Sequence, residues 1–142
     1  MSRGFRLSSL LRARQAQEDV AKGAVARASR AKEAARRAAA AGETALHDTA
    51  LPMTGSALAL VAAISAQRAT AAGLAAARQA VLDSEQHHVD ANAELAVAAS
   101  RRRTVERLAE RHTEKLQRAD LAAEQRAIDE IASRFRAEGE TA

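Results

Sequence analysis

The sequence has no cysteine, no tryptophan and no tyrosine, and only one proline, two phenylalanines and six glycines in 142 residues. Zero cysteine excludes a disulfide scaffold and a zinc site built on thiolates. With only two aromatic side chains, the chain lacks the large groups that fill a compact globular core. So little glycine and proline leaves almost no punctuation for the turns of a β-sandwich or an α/β fold. A collagen is excluded on the same count. What is present is a helix-forming vocabulary, led by forty alanines with arginine, leucine, glutamine and glutamate. The 47% hydrophobic content is therefore mostly alanine methyl groups. This composition describes long helices.

Charge is modest but uneven. Nineteen arginines and three lysines face eighteen acids, giving +4 at pH 7. Residues 1–46 carry ten basic and four acidic groups, residues 47–99 two and five, and residues 100–142 ten and nine. A nucleic-acid tail of the alanine-lysine kind is rich in lysine and proline and poor in acids. Neither holds here, so no nucleic-acid partner is expected. Arg3, Arg6, Arg12 and Arg14, with serines and no acid, have the look of an organellar presequence. They run without interruption into a helical pattern, which favours a plain basic first turn. Residues 49–67 carry no charge, a length near that of a bilayer span. Pro52, Gly55, threonines, serines and Gln67 interrupt the stretch, leaving only Ala57–Ile64 continuously apolar. Eight residues cannot cross a hydrocarbon core. The expectation is a soluble, cytoplasmic protein with no direct membrane span, able to touch a membrane-bound partner.

The first helix has a visible period. Leu10, Ala13, Gln17, Val20, Ala24, Arg27, Ala31, Ala34, Ala38, Ala41 and Ala45 alternate by three and four residues, as the seam of a coiled coil does. Ser8 or Ser9 is the expected N-cap. A break follows at His47–Ser56, where Pro52 removes a backbone donor and Gly55 permits a positive φ. Ser56 is placed to cap a second helix that opens with Leu58, Leu60, Val61 and Ile64. In that helix Leu74, Val81, His88 and Leu95 lie seven apart, flanked by Leu82, Val89 and Ala96. Val105, Ala109, His112, Leu116, Ala119 and Ala123 then form another run, and Leu121, Ile128, Ile131 and Phe135 a third. Such phase changes are stutters, which unwind a supercoil without ending the helix.

These signals define one all-α coiled-coil domain over 1–142. It has a helix at 8–46, a break at 47–56 and a long helix at 57–137 with a potential kink at Gly73. The expected fold is an elongated antiparallel two-helix coiled-coil hairpin with the second helix longer than the first. Either the second helix overhangs its partner, or the chain doubles back near Gly73. The first option is favoured because a lone glycine is a weak turn signal.

No catalytic constellation emerges. A two-helix rod offers no desolvated pocket, and no nucleophile–base pair, glycine-rich phosphate loop or cofactor motif is present. Asp83, His87, Asp90 and Glu94, with His88 beside them, share a helical face that is able in principle to hold a divalent metal. A solvated charged face is the better reading, so no catalytic, cofactor or metal residue is expected. Arg101, Arg102 and Arg103 splay around the helix and keep it soluble, with gripping of a carboxylate or phosphate surface the alternative. Glu106, Glu110 and Glu114 interleave with Arg107, Arg111, Lys115 and Arg118 at spacings that stabilise an isolated helix.

The segment EQRAIDEIASRF, Glu124–Phe135, is the most informative. Ile128, Ile131 and Phe135 make a narrow apolar stripe beside Asp129 and Glu130. It either packs on Phe5, Leu7, Leu10 or Leu11 to close the hairpin, or forms a docking surface. A chain that opens FRLSSLLRARQAQEDVAKGAVARA and closes EQRAIDEIASRF resembles the flagellar export protein FliJ family. The likeness spans the whole chain in architecture, with Gln125–Phe135 its specific part. It implies a soluble component of the flagellar type III export apparatus, cytoplasmic and peripheral on the inner membrane's cytoplasmic face. Family members look like the stalk of a rotary ATPase, seated in the export ATPase hexamer and touching the membrane export-gate protein. Escort of export chaperones is a further role the resemblance implies. Ile128, Asp129, Glu130, Ile131, Phe135, Phe5, Leu10 and Leu11 are the candidate partner-binding residues. Members often carry aromatics in the middle region where this chain has Leu58, Leu60 and Ile64, so no gate-contact residue is carried over. The rival readings are a generic coiled-coil scaffold, or a basic binder of nucleic acid or a membrane surface.

Overall fold

The computed structural model describes the backbone of residues 3–51 and 53–140, and the side chains of residues 6–51 and 53–136. Two helices make up the described chain, α1 (Arg3–Asp48) and α2 (Ala57–Glu140), and they pack as a hairpin whose second helix is the longer. No strand is present among the described residues. Helix α1 begins at Arg3, ahead of the expected caps. Ser8 and Ser9 lie inside it, and the Ser9 hydroxyl donates to the Arg6 carbonyl at 2.9 Å instead of capping. Nothing before Ser8 breaks a helix strongly enough to start it later.

The break behaves as its residues dictate. Gly55 has φ +151°, a region that side-chain-bearing residues avoid. Ser56 caps α2: its hydroxyl accepts from the Ala59 N–H at 3.3 Å and its carbonyl from the Leu60 N–H at 3.2 Å. Pro52 lies outside the described residues. Gly73 does not interrupt α2, which passes through it as one helix.

The packing divides the chain into two units, Gln17–Ala98 and the pairing of Met1–Ala16 with Ala99–Ala142. In the first, Arg36 pairs with Glu85 at 2.7 Å and Arg78 with Glu43 at 2.9 Å. Moving seven residues forward in α1 moves seven back in α2, so the helices run antiparallel. Among the shielded positions, Glu18, Ala21, Val25, Ala28, Lys32, Ala35, Ala39, Gly42 and Leu46 on α1, and Gln67, Thr70, Leu74, Ala77, Val81, Ser84, His88, Ala91, Leu95 and Ala98 on α2, step by threes and fours, as a coiled-coil seam requires. Gly23, Ala24 and Ser29 of α1 and Ala63, Ile64 and Glu85 of α2 are half-buried beside them. Gly42 lies close against α2: an added Cβ there would sit 3.3 Å from Leu74 Cδ1 and 3.6 Å from Leu74 Cα. Leu74 is accordingly only 5% exposed.

This seam corrects the expected one. On α1 it lies one residue further along than the Leu10–Ala45 series, and Leu10 and Val20 face solvent, Val20 at 70% exposure. Runs such as Ala38–Ala41 offer two adjacent faces of equal apolarity. The choice falls to the one that buries Val25 and Leu46 and admits Leu74 at Gly42. That choice places Glu18 in the seam at 8% exposure, held by Lys22 at 3.1 Å. A charge in a seam costs stability but restricts which register the helices adopt.

In the second unit Leu7, Leu11 and Arg14 of α1 and Ala99, Arg102, Val105, Glu106, Ala109 and His112 of α2 are the shielded positions among those described, with Val105 at 7% exposure. Leu82 and Val89, expected beside the seam, are exposed.

Two stability outcomes follow. Gly73→Ala meets no atom within 4 Å and should raise stability by up to about 1 kcal/mol through helix propensity. Gly42→Leu should lower it by about 1–3 kcal/mol through overpacking against Leu74. Leucine at exposed Ala34 or Ala38 should change stability by no more than about 0.5 kcal/mol. Thermal melts followed by far-UV circular dichroism check all three, and a large gain at Ala38 would restore the earlier seam. Hydrogen bonds to Glu18 and then Asp19 raise the Lys22 pKa above its ordinary value. A raised lysine contributes fully below its unfolded pKa and loses that contribution as pH rises through the folded one. The Lys22 contribution to the melting temperature should therefore stay constant from neutral pH to about pH 9 and decline only above about pH 10.4.

Candidate docking surfaces

The described chain has two places where α2 stands without cover from α1. The first is its C-terminal arm. Past His112 every described side chain through Arg136 is exposed. At 1.5 Å per residue that arm is about 36 Å long. Its helix is braced from within: Arg118 meets Glu114 at 3.4 Å, and Arg134 pairs with Glu130. Gln125 Nε2 donates to Asp129 Oδ1 at 2.9 Å. Such i,i+4 links are each worth a few tenths of a kcal/mol and matter most where no partner helix contributes.

On this arm Ile128, Ile131 and Phe135 lie in solvent, Phe135 at 71% exposure, with Leu121 joining them. Steps of seven, three and four residues align the four on one face. They do not reach Leu7, Leu10 or Leu11, so the hairpin-closing alternative for the stripe is not realised among these residues. Phe5 lies outside the residues whose side chains are described. Leu10 is exposed, and Leu11 lines a shallow groove with Glu106, Ala109, Glu110, Thr113 and Glu114. The structure thus brings Ile128, Ile131 and Phe135 onto one face with Asp129 and Glu130 at its border. It leaves Leu10 and Leu11 apart from them.

The second place is where α2 opens. Leu58, Leu60 and Val61 are exposed, as are Leu51 and Met53 in the connection before them. The sequence signal was the uncharged stretch 49–67, weighed as a membrane span and not as a surface.

Other candidates dissolve into ordinary helix surface. Asp83 accepts from Gln79 at 2.9 Å and Asp90 from Gln86 at 2.8 Å. No group of three or more His, Asp or Glu side chains is close enough to hold a metal among the described residues. Arg102 turns into the seam toward Glu106, while Arg101 and Arg103 face solvent. A second groove, lined by Arg36, Ala39, Ala40, Glu43, Arg78, Val81 and Leu82, is bordered by the two interhelical ion pairs. Its hydrogen bond to Glu85 raises the Arg36 pKa further, so it is charged throughout the working range.

The described residues thus form an all-helical coiled-coil hairpin with exposed apolar faces on α2. The model of the flagellar FliJ protein family matches residues 2–140, and the chain belongs to that family. Its members are non-enzymatic, soluble cytoplasmic components of the flagellar export apparatus. No curated protein and no solved structure matches the sequence.

Because the stripe is solvent-facing, Ile131→Ala together with Phe135→Ala should leave helicity and melting temperature of the isolated protein unchanged to within about 0.5 kcal/mol. Circular dichroism melts decide this. A marked loss of stability would mean the stripe is core after all.

Proposed function

We propose that this chain is a stalk-like coupler, with the exposed arm Thr113–Arg136 docking in the hexameric export ATPase and another surface meeting the membrane export-gate protein. The observation that supports this most is the arm's geometry. It is a braced, partnerless helix carrying Ile128, Ile131 and Phe135 as a single apolar stripe. Hydrophobic burial supplies the anchor, and Asp129 and Glu130 at the border supply orientation, since charged rims steer docking more than they hold it. Leu10 and Leu11 belong to the proposed contact set on the neighbouring helix. Attachment to the membrane is then peripheral and made through the gate.

Burying a large apolar side chain contributes about 1.5–3 kcal/mol. The Ile131→Ala and Phe135→Ala double variant should therefore weaken binding to the purified ATPase hexamer by at least about tenfold, and reduce ring-stimulated ATP hydrolysis in parallel. Titration calorimetry and a coupled ATPase assay read the two. Unaltered affinity in a fully folded double variant would remove the arm from the interface and favour a generic scaffold.

A further inference from the structure

The chain's excess of positive charge is concentrated in one place. Residues 1–16 and 99–112, both in the second unit, carry nine arginines against two acids, while the rest of the chain carries thirteen cations against sixteen acids. Within that unit the cations of α2 fall into a row. Arg103, Arg107, Arg111 and Lys115 are four residues apart, so each is turned about 40° from the one before, and Arg118 falls between them. All five are exposed. They occupy a strip about 120° wide and about 23 Å long that faces away from the shielded Val105, Ala109 and His112. The row ends before the apolar stripe begins at Leu121.

The interleaved glutamates leave most of this row unneutralised. Glu106 pairs with Arg102 at 2.7 Å and Glu114 with Arg118 at 3.4 Å. Among the described residues no carboxylate pairs with Arg103, Arg107, Arg111 or Lys115, and Arg103 donates from Nε to the Ala99 carbonyl at 3.4 Å instead. Four unpaired cations on one side of a helix call for an anionic partner, and three features of the row say which kind. It is one-sided, so a flat surface reaches all of it at once. Its nearest large apolar side chain between Arg103 and Arg118 is Leu108, at the margin, so it lacks the buried apolar centre that anchors a protein interface. Glu106, Glu110 and Glu114 run along its other edge as a second, acidic row. The fixed phosphates of a nucleic acid would meet both rows together. Lipids diffuse, so anionic headgroups gather under the cations and zwitterionic ones under the glutamates. No aromatic side chain lies between residues 6 and 134 to stack on bases.

We propose that the row Arg103, Arg107, Arg111 and Lys115 binds the surface of an anionic phospholipid bilayer, each cation meeting headgroup phosphates. The helix lies along the surface without inserting. This goes beyond the coupler reading, in which the membrane is reached through the gate protein, and vesicles free of any other protein test it separately.

The experiment is flotation of the full chain with vesicles of equal parts phosphatidylglycerol and phosphatidylcholine. Co-flotation is expected at low salt and should fall steeply as salt rises toward about 0.5 M. Arg103→Gln with Arg107→Gln and Arg111→Gln should lower the partition coefficient by about a hundredfold. Lysine at the same three positions keeps the charge and should retain most of the binding. Glutamine and lysine both favour helix, and circular dichroism checks that the variants fold. Arg27→Gln with Arg30→Gln and Arg37→Gln removes the same charge from exposed positions of the larger unit, and should cost less than about threefold. No flotation with these vesicles at low salt would overturn the proposal. So would equal losses in the two glutamine variants, which would make binding a property of net charge alone. Release of the chain by polyglutamate or by single-stranded DNA, at matched anion concentration, would assign the row to an acidic protein or a nucleic acid instead.

Discussion

Everything in the larger unit follows from the approach of Leu74 to Gly42. A coiled coil built mainly from alanine gains little per residue, since each methyl group removes little area from water. It compensates by bringing the helices close. Gly42 removes the one Cβ that would keep Leu74 away, so the leucine sits against α1 with its backbone within contact distance. With that pair in place the antiparallel register is fixed, and the flanking ion pairs at 2.7 and 2.9 Å fall opposite each other. Glu18 then has to occupy a seam position. Lys22, four residues on, holds it at 3.1 Å, so the seam accepts a charge in return for a single register.

The same register produces the exposed surfaces. Helix α2 is nearly twice as long as α1, 84 residues against 46, so some of it must stand uncovered. Its two uncovered stretches differ in chemistry. The C-terminal arm is charge-laced, with intrahelical pairs that keep it helical in water and a narrow apolar stripe suited to one protein partner. The opening of α2 carries no charge, and its Leu58, Leu60 and Val61 are exposed while Ala63 and Ile64 are half-buried.

Much of this was legible beforehand. The break between the helices was visible in Pro52, Gly55 and Ser56, because φ limits and capping are local properties of single residues. The continuous course of α2 through Gly73 was likewise legible, since one glycine costs too little to end a long helix. The apolar stripe of Ile128, Ile131 and Phe135 stood out because large side chains are rare in this chain. The phase of the α1 seam was not legible. Alanine at positions 38 to 41 looks equally apolar in either phase, and the decisive residues, Gly42 and Glu18, resemble a helix weakness and a surface charge.

By itself, then, the sequence determined what single residues and local spacing can encode: two helices, where they are joined, and the family to which the chain belongs. Tertiary structure decided which of two neighbouring alanine faces of α1 is buried and which leucines of α2 are left in water. Backbone preferences act within a few residues and survive in any context. Burial is a choice between faces, made only when a second helix arrives and contacts such as that of Leu74 at Gly42 favour one of them.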